Sequence, residues 1–189
     1  MIDLLDCENF DEYVEIQKLS DLNKPDSFFI KSIEYSDYII NKALVYQNQS
    51  ISKTFLLIDK IEKKTIGYIS LICDVLSTTD NEKKKSNLTD IPFKSFPAIK
   101  IAQLAVAEDE WIKNKYQHIG SFLIQFGTVQ ALEINEKYCA CRFITVDADV
   151  ENTPDVDKFY YYNGFMPLSS EKYKKRTKQI PMYKDIYNI

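Results

Sequence analysis

The sequence predicts a mixed α/β domain, in which one central sheet holds parallel and antiparallel strands and helices flank it. Three observations predict it. Residues 54–73 read as an antiparallel hairpin, residues 98–148 as a strand–helix–strand unit, and the order of elements never settles into regular alternation. At 189 residues the chain is read as a single domain, 1–189. A chain of this length buries roughly 70% of the surface that its unfolded form exposes, which is enough for a substantial core.

Each element has its own signal. Residues 10–22 read as an irregular helix, and a second helix is predicted over 36–47, where Tyr38, Ile39, Ala43, Leu44 and Tyr46 fall at helical spacing. The period then changes. Residues 54–59 read as a buried strand, 61–65 as a polar reversal and 66–73 as the returning partner. Residues 77–95 are polar, carry Lys83, Lys84 and Lys85, and end near Pro92 and Pro97; a solvated surface loop is preferred there over a phosphate-binding patch. Residues 98–106 read as a strand, followed by an acidic loop containing Trp111. A long amphipathic helix then starts near Ile119, with Phe122, Leu123, Phe126, Val129 and Leu132 continuing its apolar face. Residues 141–148 read as a buried strand, which a right-handed crossover places parallel to 98–106. A short helix is expected over 154–163, with Thr153 as N-cap, Pro154 in the first position and Gly164 ending it. Strands near 165–168 and 182–186 bracket a basic run of Lys172, Lys174, Lys175, Arg176 and Lys178.

Composition narrows the chemistry. Four glycines, where average usage gives roughly 13, argue against folds that need many left-handed turns. The single histidine, His118, excludes multi-histidine metal sites, and no metal is expected. Cys7, Cys73, Cys139 and Cys141 lack zinc-site spacing and are read as reduced thiols. No apolar run approaches the roughly 18 residues of a membrane span, so no membrane partner and a cytoplasmic location are expected. The net charge is −4, and it is uneven, because residues 1–26 hold eight acids against Lys18 and Lys24. Global charge therefore gives nucleic-acid binding no support. The loop before Ile119 supplies Lys113, Lys115, Gly120 and Ser121 at a helix N-terminus, a candidate anion site, although most such loops bind nothing.

Leu104-Ala105-Val106, then a loop, then Ile119-Gly120-Ser121-Phe122, resembles the central motif of the GNAT superfamily of acyl-CoA-dependent N-acetyltransferases. Residues 142–148 resemble that family's fifth strand. Residues 159–165, Phe-Tyr-Tyr-Tyr-Asn-Gly-Phe, are similar to its F-Y-x-x-x-G-F signature. With Ala43-Leu44-Val45-Tyr46-Gln47 ahead of the hairpin, the combination looks most like the group that contains the acetyltransferase toxins of bacterial toxin–antitoxin pairs. The family's pyrophosphate loop, Q/R-x-x-G-x-G/A, aligns best with residues 115–120, so that Lys115 stands for Gln or Arg and His118 for the first glycine. A register from Gln117 recovers Gln117 and Gly120 but puts Phe122 at the last small position, and the first is preferred because it keeps the helix start. A side chain at 118 crowds the pyrophosphate or takes an awkward backbone angle.

The resemblance implies a GNAT fold in which the strand of Leu104 and Val106 splays from the strand at 142–148 and the pantetheine arm of acetyl-CoA binds as a pseudo-strand. It implies cofactor contacts from Leu104, Ala105, Val106, Lys115, Gln117, His118, Ile119, Gly120, Ser121 and Asn152. Tyr160 is implied as the acid for the leaving sulfur, and no base is assigned. The implied activity is transfer of an acetyl group from acetyl-CoA, as cosubstrate, to a primary amine by direct attack. Two alternatives stand beside it: a toxin that acetylates aminoacyl-tRNA, and a catalytically weak acyl-CoA-binding module. The implied partners are a small or macromolecular amine acceptor, a tRNA or an antitoxin, and a second copy in a homodimer.

Overall fold

The structure is a computed structural model and describes residues 1–168 and 178–187. From the start of the chain, β1 (Ile2–Asp3) is followed by a 3-10 turn (Phe10–Glu12) and β2 (Val14–Lys18). One helical stretch then runs through α1 (Ile33–Asp37), a π-helical segment (Tyr38–Lys42) and α2 (Ala43–Asn48). β3 (Lys53–Asp59) and β4 (Lys64–Ser77) form the hairpin, α3 (Asp80–Lys85) follows, and β5 (Ser95–Val106) returns. α4 (Glu110–Lys115) and β6 (Tyr116–Gln117) lead into α5 (Ile119–Lys137). β7 (Phe143–Asp149), α6 (Val156–Tyr162), β8 (Met166–Pro167) and β9 (Gln179–Asp185) complete the order.

Among the described residues, seven strands make one sheet in the order β2-β3-β4-β5-β7-β9-β8, and β1 pairs in parallel with β6 apart from it. β5 and β7 are parallel, whereas β2–β3, β3–β4, β7–β9 and β8–β9 are antiparallel. This is the mixed sheet that the sequence predicts. Among the described residues, no helix is long and apolar enough to cross a membrane.

The chain divides into two compact units, Met1–Ile72 with Ala102–Gly127, and Cys73–Ile101 with Thr128–Ile189. In the first, Leu56, Leu57, Ile66 and Ile69 are buried on β3 and β4. Gly67 lets β4 pack tightly: a Cβ there would lie 3.1 Å from both the Ala105 carbonyl and Leu123 Cδ1. Tyr68 stacks on Tyr38 at 6.0 Å and meets Phe28 edge-on. In the second unit, Leu76, Phe96, Ala98, Phe143 and Tyr183 form a buried cluster.

Local structure departs from the sequence reading at five places. Val14 and Ile16 alternate with polar residues, and pairing of Val14–Lys18 with β3 makes this stretch a strand where 10–22 reads as a helix. The polar stretch 77–95 is not all loop, because a capping box starts α3: the Thr79 hydroxyl accepts from the Glu82 amide, and the Glu82 carboxylate accepts from the Thr79 amide at 2.6 Å. Lys83 is buried rather than solvated, and its ammonium donates to the Ile91 carbonyl. The Trp111 loop contains α4. α6 starts at Val156, not at Pro154, because the Asp149 carboxylate gathers the Asn152 amide (3.1 Å) and side chain (2.8 Å) into a turn that delays the helix. Val129 is exposed and not part of the apolar face of α5. Of the basic run, Lys172, Lys174, Lys175 and Arg176 lie outside the described residues, and Lys178 pairs with Glu151 at 2.8 Å.

Candidate active site

The parallel ladder between β5 and β7 has four pairs, from Ala98↔Phe143 to Ile101↔Val146. Both strands continue past its end. Burial along β5 changes at the same point: Ala98, Ile99 and Ile101 are buried, while Ala102, Gln103, Leu104 and Val106 are only partly so. Just beyond β5 the Ala107 amide donates to the Ile66 carbonyl at 2.9 Å, which fixes the strand's end against β4. A cavity of about 290 Å³ reaches Ala102 and Gln103, and one face of the π-containing helix, Glu34, Tyr38, Lys42 and Tyr46, lines it. These four residues recur every fourth position, which is why they share a face. Lys42 is paired with Asp37 at 2.6 Å, and the Tyr38 hydroxyl bonds Ser70 at 3.0 Å.

The loop into α5 is built in detail. The first bond of the helix runs from the Phe122 amide to the His118 carbonyl at 2.9 Å, so the amides of Ile119, Gly120 and Ser121 precede it as the helix's orphan donors. Over a 19-residue helix they carry the positive end of the dipole. His118 itself sits at φ 58°, the left-handed region, where the GNAT loop has glycine. Its Nδ1 lies 2.8 and 2.9 Å from the two Asp3 carboxylate oxygens, and this bond with the ring holds the Asp3 carboxyl below its usual value.

Lys115 is not a free cation. Its ammonium lies 2.6 Å from Asp59, which is fully buried at the end of β3. The same Asp59 oxygen accepts from the Tyr116 hydroxyl at 2.8 Å, and the other accepts the Ile61 and Glu62 amides, each at 2.8 Å. Burial pushes this carboxyl up, but the four donors outweigh it and hold the group below the usual carboxylate range. Asp59 thus ties the hairpin turn to the segment that enters the loop. Trp111 has two cations near its ring, Lys64 and Lys115, each 5.9 Å from the centroid.

In the second unit, Tyr160 is buried on α6, with its ring 5.2 Å from Phe159 and 5.5 Å from Phe165. Gly164, at φ 85°, ends the helix and turns the chain so that the Phe165 amide bonds the Tyr160 carbonyl at 3.0 Å. The F-Y-x-x-x-G-F pattern is therefore a helix end with its glycine cap. Tyr161 and Tyr162 are exposed. Among the described residues, no three His, Cys, Asp or Glu side chains are placed to hold a metal ion.

No protein-family model matches this chain, and no curated protein matches it in sequence. Solved structures do match. AtaT complexed with acetyl-methionyl-tRNAfMet aligns with a TM-score of 0.72 at 17% identity, covering 93% of this chain and 96% of that one. A tyrosine-to-phenylalanine mutant of KacT gives 0.72 at 14% identity, covering 93% and 96%. A tyrosine-to-phenylalanine mutant of the toxin AtaT, bound to the C-terminus of the antitoxin AtaR and acetyl-CoA, gives 0.68 at 14% identity over 93% and 94%. The likeness shows a shared fold, a GNAT-like mixed α/β sheet with flanking helices.

Within this GNAT fold, the residues singled out from sequence fall into two groups. Leu104, Ala105 and Val106 on β5, and Lys115, Gln117, His118, Ile119, Gly120 and Ser121 around the start of α5, belong to the first unit. Asn152 and Tyr160 belong to the second, with Asn152 already bonded to Asp149. Sequence reasoning missed Asp59 and Asp3. Their long-range partners, Lys115 and His118, lie 56 and 115 residues away, and no local pattern points to those pairs.

Proposed function

We propose that this protein is an acetyl-CoA-dependent N-acetyltransferase of the toxin type, and that its acceptor is the amino group of an aminoacyl-tRNA. The observation that carries the reading is an architecture shared over 93% of the chain with AtaT complexed with acetyl-methionyl-tRNAfMet. An antitoxin partner follows from the same likeness, since AtaT is also seen with the C-terminus of AtaR.

The residues present fit a CoA diphosphate, because the orphan amides at Ile119, Gly120 and Ser121 form a cradle for an anion. Acetyl-CoA, when bound, supplies an acetyl group activated as a thioester. Leu104, Ala105 and Val106 offer backbone groups to the pantetheine arm, and the Val106 N–H donates to the thioester carbonyl as charge develops on its oxygen. The amides from Gln117 to Ser121 hold the diphosphate, with His118 inside that stretch. Lys115 serves this loop through Asp59, as an anchor. The Tyr160 hydroxyl holds the proton that the departing sulfur takes up. With acetyl-CoA bound, a neutral amine would attack the carbonyl carbon, its C–N bond forming as the C–S bond breaks. Tyr160 would give its proton to the sulfur, the amine would shed its own to water, and water would return a proton to Tyr160.

Purified protein with labelled acetyl-CoA is expected to label charged methionyl-tRNA and not uncharged tRNA. Label on small amines with none on any aminoacyl-tRNA would overturn the acceptor. Absence of acetyl-CoA binding at millimolar concentration in a calorimetric titration would overturn the enzyme. A second reading, an acyl-CoA-binding module with weak turnover, is favoured by the side chain at position 118, and it predicts binding without transfer across a panel of amines.

A further inference from the structure

The loop that opens α5 contains a conformation its sequence does not favour. His118 lies at φ 58°, a region that an ordinary L-residue seldom enters and that glycine enters freely. His118 is also the residue whose carbonyl receives the first helical bond, from Phe122 at 2.9 Å. The direction in which α5 sets out, and with it the aim of the amides at 119–121, therefore depends on how His118 is held.

What holds it is the first strand. Ile2 pairs with Tyr116 and Asp3 with Gln117 in parallel, and the Leu4 amide reaches the Gln117 carbonyl at 3.4 Å. Asp3 places both carboxylate oxygens within 2.9 Å of His118 Nδ1, and the Leu5 amide, 3.0 Å from Asp3 Oδ1, fixes the carboxylate's own orientation. The strap is anchored at both ends, since Leu4 is 2% exposed and the Phe10 ring meets Phe122 edge-on at 5.1 Å.

We infer that Asp3 is a positioning residue, which holds His118 in the left-handed conformation so that the loop amides keep the geometry a glycine would otherwise permit. The consequence for CoA rests on the proposed acetyltransferase reading, whereas the consequence for the loop does not. Asp3 touches no substrate and acts only through His118, so its removal is to be felt in cofactor affinity and not in turnover at saturation.

The experiment uses four proteins: wild type, Asp3→Ala, His118→Gly and the double variant. Amide hydrogen exchange on the unliganded proteins reads the loop directly. Exchange at Phe122 is expected to quicken roughly five- to tenfold in Asp3→Ala and to be indifferent to Asp3 once residue 118 is glycine. Calorimetric titration with CoA is expected to show about a fivefold weaker dissociation constant for Asp3→Ala than for wild type, and the same dissociation constant for the double variant as for His118→Gly, with kcat at saturating acetyl-CoA unchanged in Asp3→Ala. An equal loss in the histidine and glycine backgrounds would overturn the inference, since Asp3 would then act by another route. Tighter binding in Asp3→Ala would also overturn it, since the carboxylate would then be repelling the diphosphate. If wild type binds no CoA, the acetyltransferase reading fails while exchange at Phe122 still decides the role of Asp3.

Discussion

Asp59 shows how much a single side chain can fix. Both its oxygens are taken by donors, two backbone amides on one and Lys115 with Tyr116 on the other. An asparagine there must turn its NH₂ against one of those pairs, whichever way it is flipped. Asp59→Asn is expected to cost about 3 kcal/mol in urea denaturation, the low end for a broken buried pair because Lys115 is 26% exposed. The pH dependence has a definite sign. A carboxyl held below its unfolded value adds stability that is fully present above about pH 4 and is lost as pH falls through the folded value. Midpoints measured from pH 7 down to pH 3 should therefore fall more steeply in wild type than in Asp59→Asn. Tyr160 is a different case. Phenylalanine keeps the ring contacts with Phe159 and Phe165 and removes only the hydroxyl. Tyr160→Phe is expected to fold normally by circular dichroism and to lose roughly 10²-fold in kcat, the lower range for a general acid.

At the scale of elements, the capping box of α3 makes a simple test. Thr79→Ala removes the hydroxyl that accepts the Glu82 amide, and should cost about 1 kcal/mol in thermal melting. This helix also shows what sequence can and cannot tell. The signature Thr79-x-x-Glu82 is plainly there, but three lysines follow it where an apolar run is expected, so the stretch reads as a loop. Only tertiary structure buries Lys83, by setting its ammonium on the Ile91 carbonyl. β2 was hidden for the opposite reason. Its alternation is just five residues long and is set in an acidic stretch, and it becomes a strand because β3 offers an edge. The hairpin, β5, α5 and β7 were legible because their patterns are long and apolar.

For the whole molecule, three motifs in order were enough to indicate the fold, and the structure adds what spacing cannot carry. The glycine-capped end of α6 and the loop at α5 stand where the sequence places them. The carboxylates that brace the loop do not, because pairing Asp3 with His118 or Asp59 with Lys115 requires the folded chain. A toxin-type enzyme should arrest growth when expressed in bacteria, and Tyr160→Phe should relieve the arrest. Unimpaired growth with active wild-type protein would count against the toxin reading while leaving acetyl transfer open.

Trp111 gives this molecule a built-in optical gauge. It is the sole indole in the chain, and two ammonium groups stand 5.9 Å from its ring, one of them the lysine that Asp59 anchors. Moving that charge alters the field across the chromophore. Emission wavelength should thus register any slackening at the entrance to α5, with no dye attached and at submicromolar protein.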